Sequence, residues 1–251
     1  MIHVKSLSVG SRLLPLSLSV ETGEVLHVIG PNGSGKSTFL SALSGLLECV
    51  GETFIDDVEV GKSSIETLAS YRAFLSQSDR PAFNLIVAQY LMLSVPSSAQ
   101  KNTTQVDATV RELAGLLELN DKLLRPIHHL SGGEWQRVRL CAICLQIWPT
   151  LNPNAKLLIL DEPAAPLDIG QEGLLYQLIR KVSGMGITVV MSNHDLNRTL
   201  HNADKVLLLD NGVMQRFGEP EDVLSEAELA RVFKTQVTKA MVASKPVLIF
   251  D

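Results

Sequence analysis

One nine-residue stretch, Gly30-Pro-Asn-Gly-Ser-Gly-Lys-Ser-Thr38, constrains this chain more than any other. Its spacing, G-x-x-x-x-G-K-S, is typical of loops that bind phosphate. The glycines allow a tight backbone curl, because glycine adopts positive φ freely, and the N–H groups of such a loop point inward at an anion. Lys36 adds a cation for the β- and γ-phosphates, and Ser37 adds a hydroxyl ligand for Mg²⁺. The predicted phosphate-binding residues are Gly30, Pro31, Asn32, Gly33, Ser34, Gly35, Lys36, Ser37 and Thr38.

The residues on either side of this stretch suit a phosphate site. Val25–Ile29 is a short apolar run, as expected for a strand that is buried on both faces. Residues 39–43 continue as a helix, whose N-terminus would face the phosphates. A strand, a glycine-rich loop and a helix in this order make a chance match very improbable.

Composition limits the partners of the chain. Its 251 residues suffice for one large α/β domain or two small ones, and its net charge of −5 argues against nucleic acid as the main partner. Cys141 and Cys144 lie one turn apart in a predicted helix, so we interpret them as small buried apolar residues. We find no N-terminal signal pattern, and no apolar run approaches the ~18 residues of a membrane span. Any membrane role is therefore expected to come through a partner.

Apolar runs alternate with helical patterns along most of the chain, which predicts an α/β fold with a mainly parallel sheet. In the first strands, Leu14, Leu16, Leu18 and Val20 alternate with other residues, as in a half-buried strand. Helical spacing after Thr104, which we predict to cap a helix, suggests that residues 78–130 are an inserted helical subdomain. Strands are predicted over residues 2–9, 14–20, 25–29, 51–55, 74–76, 157–160, 187–191, 206–209 and 246–250, and helical structure over 132–148 and 219–233.

An acidic pair, Asp161-Glu162, follows four consecutive aliphatic residues that end at Leu160. Ligands of open α/β sheets bind at the carboxyl ends of the strands, where this pair would lie. A carboxylate there can hold Mg²⁺ and a second can activate the attacking water. We assign the metal role to Asp161 and the general-base role to Glu162.

The stretch Leu130-Ser-Gly-Gly-Glu-Trp-Gln136 predicts a second anion site. Ser131 can cap the following helix, and Glu134 stands three residues on, as in a capping box. Gly132 and Gly133 would each cost about 1 kcal/mol inside a helix, which suggests that another group approaches the backbone there. The N–H groups and the Ser131 hydroxyl could bind a phosphate.

With these motifs in place, the sequence resembles the ATP-binding-cassette (ABC) ATPases from about residue 2 to about residue 233. The resemblance implies a P-loop NTPase core with a mainly parallel sheet, an N-terminal antiparallel β subdomain and an inserted helical subdomain. It implies a single ABC ATPase domain over residues 1–251. Its helical subdomain would comprise roughly residues 78–130 and the helix that follows Ser131, as far as residue 148. It also implies ATP and Mg²⁺ as cofactors.

The same resemblance implies a head-to-tail dimer, in which Ser131 to Glu134 of one copy close on the γ-phosphate held by the other. Gln77 would touch Mg²⁺ and the attacking water, and His194 would contact the γ-phosphate. The predicted catalytic residues are thus Glu162, His194 and Gln77, and the predicted metal ligands are Ser37, Gln77 and Asp161.

Two positions depart from the family pattern. Many relatives stack an N-terminal aromatic residue on adenine, but this chain has none before Phe39, so we assign that role to the guanidinium group of Arg12. Pro166 stands where a small residue is usual and removes an N–H group that could serve the dimer contact.

A closer resemblance is to the ATPase subunits of bacterial vitamin B12 importers, carried by residues 130–140, 145–148, 152–154 and 192–197. It implies ATP hydrolysis for vitamin B12 (cobalamin) uptake, with integral membrane permease subunits as partners and a periplasmic substrate-binding protein as an indirect one. The chain would lie at the cytoplasmic face of the bacterial inner membrane. The alternatives are the ATPase of a ferric-siderophore or haem importer, and a soluble ABC ATPase such as an iron–sulfur assembly factor.

Overall fold

In the computed structural model, which describes residues 1–76 and 81–251, strands and helices alternate through most of the chain. The strands are β1 (Ile2–Val9), β2 (Leu13–Val20), β3 (Val25–Ile29), β4 (Val50–Ile55), β5 (Val58–Glu59), β6 (Arg72–Leu75), β7 (Leu157–Leu160), β8 (Thr188–Ser192), β9 (Lys205–Asp210), β10 (Val213–Gly218), β11 (Val237–Val242) and β12 (Lys245–Phe250). The α-helices are α1 (Lys36–Leu43), α2 (Ile65–Tyr71), α3 (Val87–Met92), α4 (Thr103–Leu116), α5 (Gly132–Ile147), α6 (Ile169–Gly184), α7 (Leu196–Asn202), α8 (Pro220–Val223) and α9 (Glu226–Phe233).

A six-stranded sheet with the order β10-β9-β3-β8-β7-β6 carries the functional loops. Strands β9, β3, β8, β7 and β6 run parallel, and β10 is antiparallel at the edge. All five residues of β3 are buried, because hydrophobic clusters cover both faces of the sheet. The predicted α/β fold with a mainly parallel sheet is confirmed.

The predicted N-terminal antiparallel sheet is also confirmed, with the order β2-β1-β4-β5. Helix α1 contributes Phe39 and Leu40, both fully buried, to the core between this sheet and the larger one. The predicted burial of Leu14 is wrong: it is 45% exposed, while Leu13 is fully buried. The pairing between β1 and β2 shifts at this point, so the period-2 pattern breaks just before Leu16.

Helices α3 and α4 lie between β6 and α5 in the chain, and both pack against α5. The ring of Tyr90 on α3 lies 4.9 Å from that of Trp135 on α5, centroid to centroid. Helix α4 begins one residue before the predicted cap, because the Asn102 side chain accepts a hydrogen bond from the backbone of Gln105. Thr104 therefore lies inside the helix, and its predicted capping role is wrong.

The C-terminal region differs from the continuous helical segment predicted over residues 219–233. Helix α8 ends at Val223, and α9 begins at Glu226. The predicted last strand exists within β12, and it pairs with β11 as a hairpin. Asn197 of α7 holds this hairpin: its Nδ2 donates to Leu248 O at 3.0 Å, and its Oδ1 accepts from Leu248 N at 2.7 Å.

Candidate functional site

The order of three central strands brings the predicted site residues together. Strand β8 lies between β3 and β7 and runs parallel to both. The phosphate loop follows β3, the acidic pair follows β7, and His194 follows β8. Because the carboxyl ends of parallel strands meet at one edge, residues more than 100 positions apart in the chain converge there.

A pocket of about 490 Å³ opens over the phosphate loop. Residues 32–38 of the loop line it, together with Glu162, Arg12 and the turn at Asn211 and Gly212. The pocket thus combines the predicted phosphate-binding backbone with the predicted general base. Arg12, the predicted stacking partner of adenine, is also in its wall.

Two glycines of the loop are required by the packing around them. Gly30 has a φ of +147°, and a Cβ there would lie 2.0 Å from the carbonyl oxygen of Leu209. Gly35 has a φ of +104°, at the N-cap of α1, and its Cβ would lie 3.0 Å from the carbonyl oxygen of Arg12. A side chain at either position would press against the backbone of Leu209 or Arg12 and displace the loop.

Lys36 lies inside the loop and is 5% exposed. Its Nζ donates to the carbonyl oxygens of Gly30 at 2.8 Å and Pro31 at 3.1 Å. Burial lowers the pKa of Lys36, and the nearby carboxylates of Glu162 and Asp161 act in the opposite direction. The Lys36 ammonium group has three N–H donors and no acceptor. Phosphate oxygens of a nucleotide are acceptors too, so they could replace the two carbonyl oxygens as its partners.

The acidic pair is held by residues that follow or end strand β8. The Ser192 hydroxyl donates to Asp161 Oδ1 at 2.7 Å and accepts from the backbone N–H of Glu162 at 2.7 Å. At the other end of the glutamate, Glu162 Oε1 lies 2.6 Å from His194 Nε2. Two of the three predicted catalytic side chains, Glu162 and His194, are therefore in direct contact. Sequence reasoning missed Ser192, although a polar residue that ends an aliphatic strand was a usable signal.

The predicted capping box at α5 is present. The Ser131 hydroxyl accepts from Glu134 N at 3.1 Å, and Glu134 Oε2 accepts from Ser131 N at 2.8 Å. This backbone hydrogen bond lowers the pKa of Glu134, and Lys122 adds to the effect. Ser131 and Gly132 are exposed.

Gly132 and Gly133, the two glycines at the start of α5, have different surroundings. A Cβ on Gly132 would meet nothing within 4 Å, whereas a Cβ on Gly133 would lie 2.1 Å from Gln171 Oε1 of α6. The close approach that we expected at Gly133 is thus made by a side chain of the same molecule. Ser131 to Glu134 are not among the described residues that line the pocket over the phosphate loop.

The donor chemistry at the pocket suits Mg²⁺. Mg²⁺ prefers hard oxygen ligands and is usually held by one or two carboxylates plus substrate phosphates. Ser37 lines the pocket, and Asp161 follows β7, which is separated from β3 by β8 alone. Both would supply such oxygens. Gln77, the third predicted ligand, lies outside the described residues.

Cys141 and Cys144 of α5 are buried, as predicted, and His27 of β3 is a third buried titratable residue. Burial raises the pKa of Cys141 to about 12, as expected for an apolar neighbour of Cys144, and both thiols are free. His27 of β3 is fully buried, and desolvation lowers its pKa to about 3. Its Nδ1 lies 3.1 Å from Thr199 Oγ1.

Comparison with known proteins agrees with this geometry. A sequence profile described as "ABC transporter" matches residues 13–165. A protein of Vibrio parahaemolyticus named "Vitamin B12 import ATP-binding protein BtuD" is 56% identical over 255 residues, with 100% of each chain covered. A protein of the same name from Vibrio atlanticus is 57% identical over 251 residues, also with full coverage of both.

Solved structures share the fold. The ADP conformation of an ATP-binding cassette of an ABC transporter aligns with a TM-score of 0.76 at 22% identity, over 93% of this chain and 98% of that one. The cbiO1 protein of Clostridium perfringens, part of the ABC transporter complex cbiONQ, aligns with a TM-score of 0.75 at 25% identity over 92% of each chain. The chain therefore belongs to the ABC transporter family, as one of its ATP-binding, ATPase subunits.

Proposed function

We propose that this chain is the ATPase subunit of a vitamin B12 importer and that it works at the cytoplasmic face of the bacterial inner membrane. The observation that carries the proposal is the full-length identity of 56% and 57% to proteins named as vitamin B12 import ATP-binding proteins. Among residues 1–76 and 81–251, no helix is long and apolar enough to cross a membrane. A permease partner would supply the membrane-spanning part.

The site residues have distinct proposed roles in ATP hydrolysis. Residues 30–38 hold the phosphates with their backbone N–H groups, and Lys36 places a positive charge beside the β- and γ-phosphates. Asp161 and Ser37 would hold Mg²⁺, which when bound would supply positive charge beside the phosphates. Glu162 accepts a proton from the attacking water, and Gln77 touches the same water. His194, which lies 2.6 Å from Glu162, would contact the γ-phosphate.

A second copy of the chain would complete the site. Ser131 to Glu134 lie outside the pocket of their own chain, while Ser131 and Gly132 are exposed. These donors can therefore serve a nucleotide held by another copy, in a head-to-tail dimer formed on ATP.

The surface around α3 supports a permease contact. Phe83, Met92 and Leu93 are 70%, 46% and 73% exposed, and they lie close together along the chain. Exposed apolar residues grouped in this way mark a site of protein association. The periplasmic substrate-binding protein would act only through the permease, and no residue of this chain is proposed to recognise cobalamin.

The test is to co-express the chain with the permease of a vitamin B12 importer, purify the complex in detergent and measure its ATPase activity. We expect co-purification and stimulation by a cobalamin-loaded binding protein. A Glu162→Gln variant should still associate, but its turnover should fall about 10²- to 10⁴-fold, the usual value of a general base.

The other outcomes are equally informative. Association with a ferric-siderophore or haem permease alone would keep the mechanism and change the cargo. ATPase activity without association with any of these permeases would favour a soluble ABC ATPase. Wild-type turnover by Glu162→Gln would remove Glu162 from the proposed base role.

A further inference from the structure

We propose that Ser192 is a positioning residue for ATP hydrolysis, whose hydroxyl aligns Glu162 and Asp161 with each other. This inference rests on the proposed roles of the two carboxylates. It goes beyond them because it assigns a function to a residue for which the sequence predicted none.

The first support is geometric. The Ser192 hydroxyl is a single group that bridges two consecutive residues at the end of β7. It donates to Asp161 Oδ1 at 2.7 Å and accepts from Glu162 N at 2.7 Å. Ser192 and Asp161 are 0% and 7% exposed, so water does not compete for these hydrogen bonds. The side chain of one strand thus joins the proposed metal ligand to the proposed general base.

The second support is the backbone at Glu162. Its φ is +48°, in the left-handed region that residues other than glycine seldom adopt. Such a conformation persists only where the surroundings hold it in place. The hydrogen bond from Glu162 N to Ser192 helps to hold it, and it acts directly on the amide that sets the direction of the side chain.

The third support is that the other end of Glu162 is held by the same segment. His194, two residues after Ser192, contacts the Glu162 carboxylate at 2.6 Å. Asn193 between them is buried, and its Nδ2 donates to Tyr176 Oη at 3.1 Å and to Thr199 Oγ1 at 3.2 Å. Ser192 therefore stands on an anchored segment and can impose a position on Glu162.

The competing interpretation is that Ser192 is only a buried hydroxyl that satisfies neighbouring polar groups. The same strand contains a control for this interpretation. Thr188, at the opposite end of β8, is 1% exposed and makes the same pair of bonds, donating to Glu21 O at 3.0 Å and accepting from Gly23 N at 3.3 Å. Thr188 is far from the acidic pair along the strand.

The experiment compares Ser192→Ala with Thr188→Val, since each removes one buried hydroxyl and retains most of the volume. Steady-state ATPase kinetics and binding of a fluorescent ATP analogue are measured on the chain, with its permease if it requires one. We expect Ser192→Ala to lower kcat about 10- to 100-fold, the effect of a small misplacement of a catalytic group, and to leave KM and analogue affinity within about twofold. Thr188→Val should retain wild-type kcat.

A double variant tests whether Ser192 acts through Glu162. In the Glu162→Gln background, Ser192→Ala should cause little further loss, because residues that act as a unit are not additive. An unchanged kcat in Ser192→Ala, an equal loss in Thr188→Val, or fully multiplicative losses in the double variant would each overturn the proposal. Inactive wild-type protein, or a fully active Glu162→Gln variant, would instead indicate failure of the proposed function itself.

Discussion

His27 is a buried residue that lies beside the proposed catalytic site. It lies in β3, whose end leads into the phosphate loop, and its ring is fully buried. Asn193, which precedes His194, contacts the same Thr199 hydroxyl as His27 does. A protonated imidazole would therefore be a charge inside the core, directly behind the segment that holds Glu162.

The lowered pKa of His27 predicts acid sensitivity. Its pKa is about 3 in the folded chain and 6.5 for a solvated histidine side chain, so the unfolded chain binds the extra proton between these values. Stability from the neutral ring is complete above pH 6.5 and is lost as pH falls toward 3. At about pH 5 the loss amounts to about 2 kcal/mol of the free energy of unfolding.

Urea unfolding of the wild type and a His27→Gln variant at about pH 7.5 and about pH 5 would check this. Whatever the stability of the variant at the higher pH, its loss between the two pH values should be smaller than that of the wild type by about 2 kcal/mol. Equal losses in the two proteins would contradict the assignment, since all other titrating groups are common to both.

At the scale of elements, the residue at which a helix begins depends on which nearby side chain accepts a hydrogen bond from the backbone N–H groups of its first turn. Ser131 caps α5 as the sequence predicted, with Glu134 completing the box. Helix α4 is capped instead by Asn102, in a run of polar residues that offered several competing caps. Position alone did not discriminate among them, because each could accept from an N–H group two or three residues on.

The cap at α4 gives a matched pair of variants. Asn102→Ala should lower the free energy of unfolding by about 1 kcal/mol, the usual value of an N-cap. Thr104→Ala should lower it by no more than a few tenths or raise it slightly, because alanine is the better helix former inside a helix. Denaturant midpoints of the two variants at one pH decide the matter, and a larger loss in Thr104→Ala would contradict the observed cap.

At the scale of the whole molecule, the chain has two predicted anion-binding groups, and of these the described residues that line the pocket beside Glu162 include only the phosphate loop. The phosphate loop and Glu162 line one pocket, whereas the exposed cap at Ser131 opens to the surface of the chain. In the proposed head-to-tail dimer, one nucleotide would contact the phosphate loop of one copy and the Ser131 cap of the other. ATP would then itself be part of the contact between the copies.

The dimer is therefore expected to depend on unhydrolysed ATP. A Glu162→Gln variant with ATP and Mg²⁺ should double in mass by light scattering after size exclusion, because slow hydrolysis preserves the nucleotide. The same variant with ADP should remain monomeric. A further Ser131→Arg change places a bulky side chain on the exposed cap and should abolish the dimer, and persistence of the dimer would exclude this contact surface.

Contiguous residues accounted for the features that the sequence predicted correctly. The phosphate loop between β3 and α1, the acidic pair after β7 and the capping box at α5 each depend on neighbours within a few positions. Their glycines, hydroxyls and apolar runs restrict the local backbone directly. The alternation of such segments was also enough for the parallel α/β fold.

Contacts between distant segments required the tertiary structure. The bonds of Ser192 to the acidic pair, the meeting of Glu162 with His194 and the approach of Gln171 to Gly133 join residues about 30 to 40 positions apart. The exposure of Leu14 follows from a register shift between β1 and β2. Strand order and register decide which side chains face each other, and neither is encoded in any short stretch of residues.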